Sequence, residues 1–298
     1  MDHALFSRSH SSLVSGGIAM TLKQLNIFPL LKKYGIKPKK SLGQNFLIEP
    51  AGLNKVIDAA ALTTTDEVLE IGAGLGSLTY LLAQSARQVT AVEIDRTMLP
   101  PLREALTEFN NVHIVEGDIL ELKPDELMQA QDYVVVANIP YYISSAIIRH
   151  LMEAQHRPKR VVLTVQKEVA ERVLAKDGKM NLLSLSVQVF GQVSMAGVIP
   201  AGSFLPAPEV DSAVLKVELF PEPLIPFEQQ QAFFRLAHAG FGQKRKTLRN
   251  SLSAGLVLSG SEVEKILTNT GIDPQRRAET LTIVEWKRLT EAWLANPL

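Results

Sequence analysis

The stretch Glu70-Ile71-Gly72-Ala73-Gly74-Leu75-Gly76 constrains the fold of this chain more tightly than any other. It joins an apolar run at 67–71 to an amphipathic run at 77–85, the pattern of a strand turning directly into a helix. Glycines at such a turn adopt backbone conformations closed to other residues and let a ligand lie against the main chain. The same rhythm repeats downstream, with candidate strands at 67–71, 88–94, 112–115, 133–138, 161–165, 185–193 and 213–219. Helices are expected near 22–34, 77–85, 96–109, 144–154 and 167–175. The near-continuous apolar character of the strands suits a buried, mostly parallel sheet, which places the chain among α/β folds. The stretch Phe220-Pro221-Glu222-Pro223-Leu224-Ile225-Pro226 breaks both periods and reads as a linker. Beyond it the pattern is all helical, at 228–239, 244–254, 261–268 and 283–295.

Composition excludes several classes. With 46% hydrophobic and 21% charged residues, the chain can bury a substantial core and is neither disordered nor collagen-like. The absence of cysteine removes disulfides, thiol nucleophiles and cysteine-ligated metal centres, and suits a reducing cytoplasm. No apolar run reaches membrane-spanning length, so no membrane partner is expected. The six histidines have no ligand spacing, and no metal is expected. The formal net charge is zero, but it is unevenly distributed. Residues 1–48 carry seven basic side chains and one acid, residues 49–140 five and fifteen, and residues 141–298 nineteen and fifteen. Between Gln229 and Ser261 there is no acid, while Arg235, Lys244, Arg245, Lys246 and Arg249 are present. Two basic stripes, one including Lys37, Lys39 and Lys40 and one at 244–249, are therefore candidates for phosphate contact.

The carboxyl ends of successive strands carry polar groups where a nucleoside would need them. Glu93 ends the second, placed to accept hydrogen bonds from both ribose hydroxyls, and Asp118 ends the third, where it could accept from an adenine amine or cap the following turn. A hydride-transferring dinucleotide enzyme usually has its third glycine at the position of Ser77. The spacing here resembles instead the S-adenosylmethionine loop of the class I methyltransferases, which makes Glu70, Gly72 and Gly74 candidate donor contacts. The fourth strand runs into Asn138-Ile139-Pro140-Tyr141. An exocyclic adenine amine is a weak nucleophile because its lone pair is delocalised into the ring. The Asn138 side-chain oxygen and the Ile139 carbonyl would accept both amine hydrogens and free that lone pair, with Pro140 stiffening the turn. Tyr141 would stack on the base, worth about 1–3 kcal/mol. Such a four-residue match alone is also compatible with an ordinary turn with packing tyrosines.

These residues resemble the small-subunit ribosomal RNA adenine N6-dimethyltransferases, a resemblance that runs from about Leu25 to the final helix. It includes Lys40-Ser41-Leu42-Gly43-Gln44-Asn45-Phe46-Leu47, Gln166-Lys167-Glu168-Val169-Ala170, Phe204-Leu205-Pro206-Ala207-Pro208-Glu209-Val210-Asp211-Ser212 and the basic run 241–250. The resemblance implies donor contacts at Gln44, Asn45, Leu47, Gly72, Glu93, Asp118 and Asn138, and a second aromatic wall at Phe204, closing over an extruded adenine opposite Tyr141. It implies a Rossmann-like seven-stranded methyltransferase sheet with a small C-terminal all-helical domain. The divisions would be a disordered extension or leader at 1–19, a basic arm at 20–48, a methyltransferase domain at 49–221 and an RNA- or ribosome-binding helical domain at 222–298. S-adenosylmethionine would be the cofactor and S-adenosylhomocysteine its product. The partner would be small-subunit ribosomal RNA in an immature subunit, met by a cytoplasmic monomer. Large-subunit adenine methylation of the antibiotic-resistance type, and a chiefly assembly or binding role, remain as alternatives. Two departures from the family pattern are Ala73, where proline is common, and Met180-Asn181-Leu182-Leu183, which replaces a Tyr-Gly-containing stretch and could alter RNA contacts.

Overall fold

The strand runs assemble into one seven-stranded sheet, seen in a computed structural model that describes residues 22–176 and 178–295. The extension expected at 1–19 lies outside the described residues. In chain order the elements are α1 (Phe28–Tyr34), β1 (Phe46–Leu47), α2 (Pro50–Ala60), β2 (Glu67–Ile71), α3 (Ser77–Ser85), β3 (Gln88–Glu93), α4 (Leu99–Ala105), β4 (Val112–Glu116), α5 (Pro124–Leu127) and β5 (Val134–Asn138). There follow α6 (Ser144–Glu153), β6 (Arg160–Gln166), α7 (Lys167–Val173), α8 (Leu182–Gln188), β7 (Gly191–Ile199), β8 (Phe204–Leu205) and β9 (Ser212–Leu219). Four helices close the chain: α9 (Phe227–Phe241), α10 (Leu248–Leu256), α11 (Gly260–Asn269) and α12 (Ile283–Ala295).

The sheet order is β4-β3-β2-β5-β6-β9-β7. The strands from β4 to β6 are parallel, and β9 enters antiparallel between β6 and β7. Between β2 and β5 the chain changes its direction of travel across the sheet, which opens a crevice at their carboxyl ends. β2 and most of β5 are buried on both faces, as their unbroken apolar runs require.

Three local expectations are corrected. The arm helix begins at Phe28, not at 22, because Pro29 lacks an N–H and fits only a first turn. The run 185–193, read as a strand, is helical as far as Gln188, and the strand starts at Gly191. Asn181 accounts for this, because its side chain accepts from Ser184 N–H (3.0 Å) while Ser184 Oγ accepts from Asn181 N–H (2.9 Å). This capping box starts a helix through alternating residues that otherwise suit a strand. The helix expected at 244–254 begins at Leu248, leaving Lys244, Arg245 and Lys246 in an exposed loop.

Apolar burial runs without a break from one sheet face into the last four helices, joining Val189, Phe190 and Ile225 to Phe233, Leu252 and Trp286. Phe190 stacks on Phe234 with ring centroids 6.4 Å apart. The 220–226 segment is correspondingly pinned, with Phe220 and Leu224 N–H groups donating to the Phe190 and Val189 carbonyls.

Candidate active site

The crevice is a solvent-open cleft lined by the glycine turn, by residues 42–47 of the arm and by 138–141. Gly72 and Gly74 have φ of +75° and +55°, a region that side chains other than hydrogen rarely occupy. The Phe46 ring lies where a Cβ on Gly74 would meet it at 3.1 Å, so the turn and the arm touch directly.

Glu93 is buried at the end of β3. Its Oε2 accepts from Gly74 N–H (2.6 Å) and its Oε1 from Asp95 N–H (2.8 Å), leaving lone pairs on both oxygens toward the cleft it lines. Burial raises its carboxyl above the usual range despite these bonds. Glu70 is more deeply buried, and its Oε2 has no partner among the described residues. Burial, reinforced by the charge of Glu93, pushes its carboxyl up to about 8. Two carboxyl groups thus line the same small cleft.

Asn138 ends β5 on the opposite wall. Its Nδ2 donates to the main-chain carbonyl of Asn45 (2.9 Å), so both amide roles are assigned and Oδ1 remains as an acceptor. Ile139, Pro140 and Tyr141 follow along the wall, and the Tyr141 hydroxyl shares a hydrogen bond of 2.5 Å with Ser212 Oγ on β9. Burial raises the Tyr141 hydroxyl pKa, so it stays neutral, and the bond to Ser212 anchors the side chain to β9.

The expected donor contacts Gln44, Asn45, Leu47, Glu70, Gly72, Gly74, Glu93 and Asn138 all line this one cleft. Asp118 does not; its Oδ1 accepts from Leu120 N–H (2.9 Å), capping the turn after β4. Phe204, expected as a second aromatic wall, is 3% exposed and packs in the core with Leu47, Leu53 and Ile199. Its strand pairs with β1, and Phe204 itself is not among the residues that line the cleft. The basic stripes are also redistributed. Lys37 and Lys40 are exposed without an ion-pair partner among the described residues, whereas Lys39 is paired with Asp95 (2.7 Å). Lys244, Arg245 and Lys246 are exposed, but Arg249 is paired with Glu264 (2.9 Å) across α10 and α11. Sequence reasoning passed over Asp95 and Ser212. Asp95 was signalled only as a second acid beside Glu93, and Ser212 lies far from Tyr141 along the chain.

A family model described as ribosomal RNA adenine dimethylase matches residues 35–292. The chain belongs to the ribosomal RNA adenine dimethylase family. Among its relatives, ribosomal RNA small subunit methyltransferase A of Dehalococcoides mccartyi strain CBDB1 is 45% identical over 269 residues, covering 90% of this chain and 92% of that protein. The protein of the same name from Bacillus mycoides strain KBAB4 is 39% identical, covering 90% and 96%. A dimethyladenosine transferase from Plasmodium falciparum shares the fold with a TM-score of 0.72 at 27% identity, covering 84% of this chain and 98% of that one. A 23S rRNA methyltransferase, ErmE, gives 0.67 at 27% identity, covering 83% and 99%.

A ribosomal RNA adenine dimethylase must hold a cationic, nucleoside-bearing methyl donor, and the cleft fits one. The unpartnered Glu70 oxygen suits an ammonium, the open lone pairs of Glu93 suit ribose hydroxyls, and the glycine turn leaves room for the chain between them. Among the described residues no group of three or more His, Asp or Glu side chains is placed to hold a metal. No helix there is long and apolar enough to cross a membrane.

Proposed function

We propose that this ribosomal RNA adenine dimethylase acts on small-subunit ribosomal RNA, converting two adjacent adenines near its 3′ end to N6,N6-dimethyladenosine during late subunit assembly. S-adenosylmethionine supplies the methyl group as an electrophile. Gln44, Asn45, Leu47, Glu70, Gly72, Gly74, Glu93 and Asn138 form the donor side of the cleft, and Tyr141 offers its ring to the adenine. The observation that carries the reading is the Asn138 amide, whose Nδ2 is taken up by the Asn45 carbonyl and whose Oδ1 is left as an acceptor for the target amine. With Oδ1 and the Ile139 carbonyl accepting the two amine hydrogens, the nitrogen lone pair is released from the ring. The methylated nitrogen is cationic and loses a proton to water, so no general base is required. A singly methylated amine retains one hydrogen, enough to keep one of these bonds for the second methylation. Positioning contributes much of the rate.

The exposed Lys244, Arg245 and Lys246, with Lys37 and Lys40, supply phosphate contacts, and residues 222–298 serve as the RNA-binding region. The choice of small-subunit RNA is supported by relatives named for that subunit at 39% and 45% identity, against 27% for the large-subunit enzyme. We further take the protein to act as a monomer in the cytoplasm.

The test is transfer of labelled methyl groups to immature small subunits, followed by nucleoside analysis. Dimethyladenosine should form with the native protein, and Asn138→Ala should abolish it while leaving donor binding within a few-fold. Transfer to large-subunit RNA instead would overturn the substrate, and full function of Asn138→Ala in cells would favour an assembly role over catalysis.

A further inference from the structure

Three arm lysines meet three acids of the sheet half: Lys23 with Glu108 (3.5 Å), Lys33 with Glu104 (2.6 Å) and Lys39 with Asp95 (2.7 Å). The first two pairs are exposed and worth little. The third is different in kind, because Asp95 is 4% exposed and each of its carboxylate oxygens accepts a bond from residues 39–44 of the arm. Its Oδ1 accepts from Lys39 Nζ (2.7 Å), Thr97 N–H (3.0 Å) and the Thr97 hydroxyl (2.7 Å), and its Oδ2 accepts from Gln44 Nε2 (2.9 Å). Gln44 Oε1 in turn accepts from Lys39 N–H (2.8 Å), completing a triangle that holds residues 39–44 against the end of β3.

What this triangle holds is the wall of the cleft. Asn45 follows Gln44 and presents the carbonyl that orients Asn138; Phe46 lies on Gly74; Leu47 lines the cleft and pairs with β8. Residues 42–47 and the glycine turn line the same space, so a molecule in it would contact the arm directly. Neither Lys39 nor Asp95 lines the cleft. We propose that Lys39, Gln44 and Asp95 form a latch that closes the arm over the methyl-donor cleft, with Lys39 and Asp95 acting as positioning residues and latch opening setting the rate at which the spent donor leaves. The assignment of the cleft to a methyl donor rests on the proposed function, whereas the latch itself rests on the hydrogen bonds. Each adenine receives two methyl groups, so the latch must open between them. Hydrogen bonds to Lys39, Thr97 and Gln44 outweigh the burial that would raise the Asp95 carboxyl and hold it at about 2, so Asp95 stays ionised at every physiological pH.

The experiment compares full-length native protein with Lys39→Met, Lys39→Arg and Asp95→Asn. It measures S-adenosylhomocysteine dissociation by stopped flow, amide hydrogen exchange at residues 44–48, and KM for donor and for RNA separately. Losing one charge-assisted hydrogen bond should speed dissociation about tenfold or more in Lys39→Met and Asp95→Asn. It should also accelerate exchange at 44–48 and raise the donor KM with the RNA KM unchanged. Lys39→Arg should restore slow dissociation. If Asp95→Asn does not fold, Lys39→Met carries the test alone, since Lys39 is half exposed. Unchanged dissociation and exchange with weakened RNA binding would make Lys39 a phosphate contact and overturn the latch. Failure of the native protein to methylate small subunits, with exchange at 44–48 still accelerated by Lys39→Met, would instead sink the substrate reading and leave the latch standing.

Discussion

Glu70 shows how burial of a single carboxyl couples protonation to stability. Burial pushes its carboxyl up to about 8 from an ordinary 4.5, so the folded protein retains a proton that the unfolded chain releases above 4.5. The folded state therefore binds more protons between about 4.5 and 8, and stability falls as pH rises through that window. Ligand-free protein should lose melting temperature from pH 5 to pH 8, and Glu70→Gln should reduce that slope; an identical slope in the variant would place the titration elsewhere. The place of Glu70, Glu93 and Asn138 in the cleft was legible in the sequence because all three sit at strand ends, which chain order dictates. Lys39, Arg249 and Phe204 were not, because what each does depends on a partner distant along the chain. Asp95 and Glu264 take up the two cations, and the β1–β8 pairing takes the phenyl ring into the core. Asp118 took the capping role that its residue type equally allows.

At the scale of elements, the strands of the parallel half were readable because a strand buried on both faces is a plain apolar run. The misread strand at 185–193 failed where side-chain caps outweigh alternation. The Met180-Asn181-Leu182-Leu183 departure has a structural use here: Asn181 caps α8, and Met180 N–H donates to the Glu279 carbonyl (3.1 Å), tying this segment to the helical region. Helix packing in that region depends on contacts no period reveals. Gly255 on α10 faces α9 so closely that a Cβ would lie 2.6 Å from Ala239 Cβ and 2.7 Å from its Cα. Backbone cannot yield as a side-chain tip can, so Gly255→Ala must move the two helices apart. It should destabilise the protein by about 1–3 kcal/mol, the usual cost of overpacking, measurable by urea unfolding. Gain of helix propensity opposes this by up to about 1 kcal/mol, and a neutral or stabilised variant would show that α9 and α10 can separate freely.

For the molecule as a whole, zero net charge conceals two uses of the same kind of residue. Three of the acids concentrated in residues 49–140 pair with Lys23, Lys33 and Lys39 of the arm, so part of the arm's positive charge is neutralised within the fold. Within the two basic stripes, the cations left exposed without an ion-pair partner among the described residues are Lys37 and Lys40 on the arm and Lys244, Arg245 and Lys246 between α9 and α10. Phosphate contacts release counterions, and each one removed should reduce the slope of log affinity against log salt by about one. Neutralising Lys244, Arg245 and Lys246 together should therefore flatten the slope for RNA by about three, and neutralising Lys37 and Lys40 by about two, if each cation meets a phosphate. Lys39→Met should leave the slope as it is, because that ammonium already has a carboxylate 2.7 Å away. Filter binding of small-subunit RNA across a salt series measures all three. Equal flattening by Lys37→Met, Lys39→Met and Lys40→Met would show that the arm lets go of the sheet to meet RNA, and that Asp95 and phosphate compete for the same lysine.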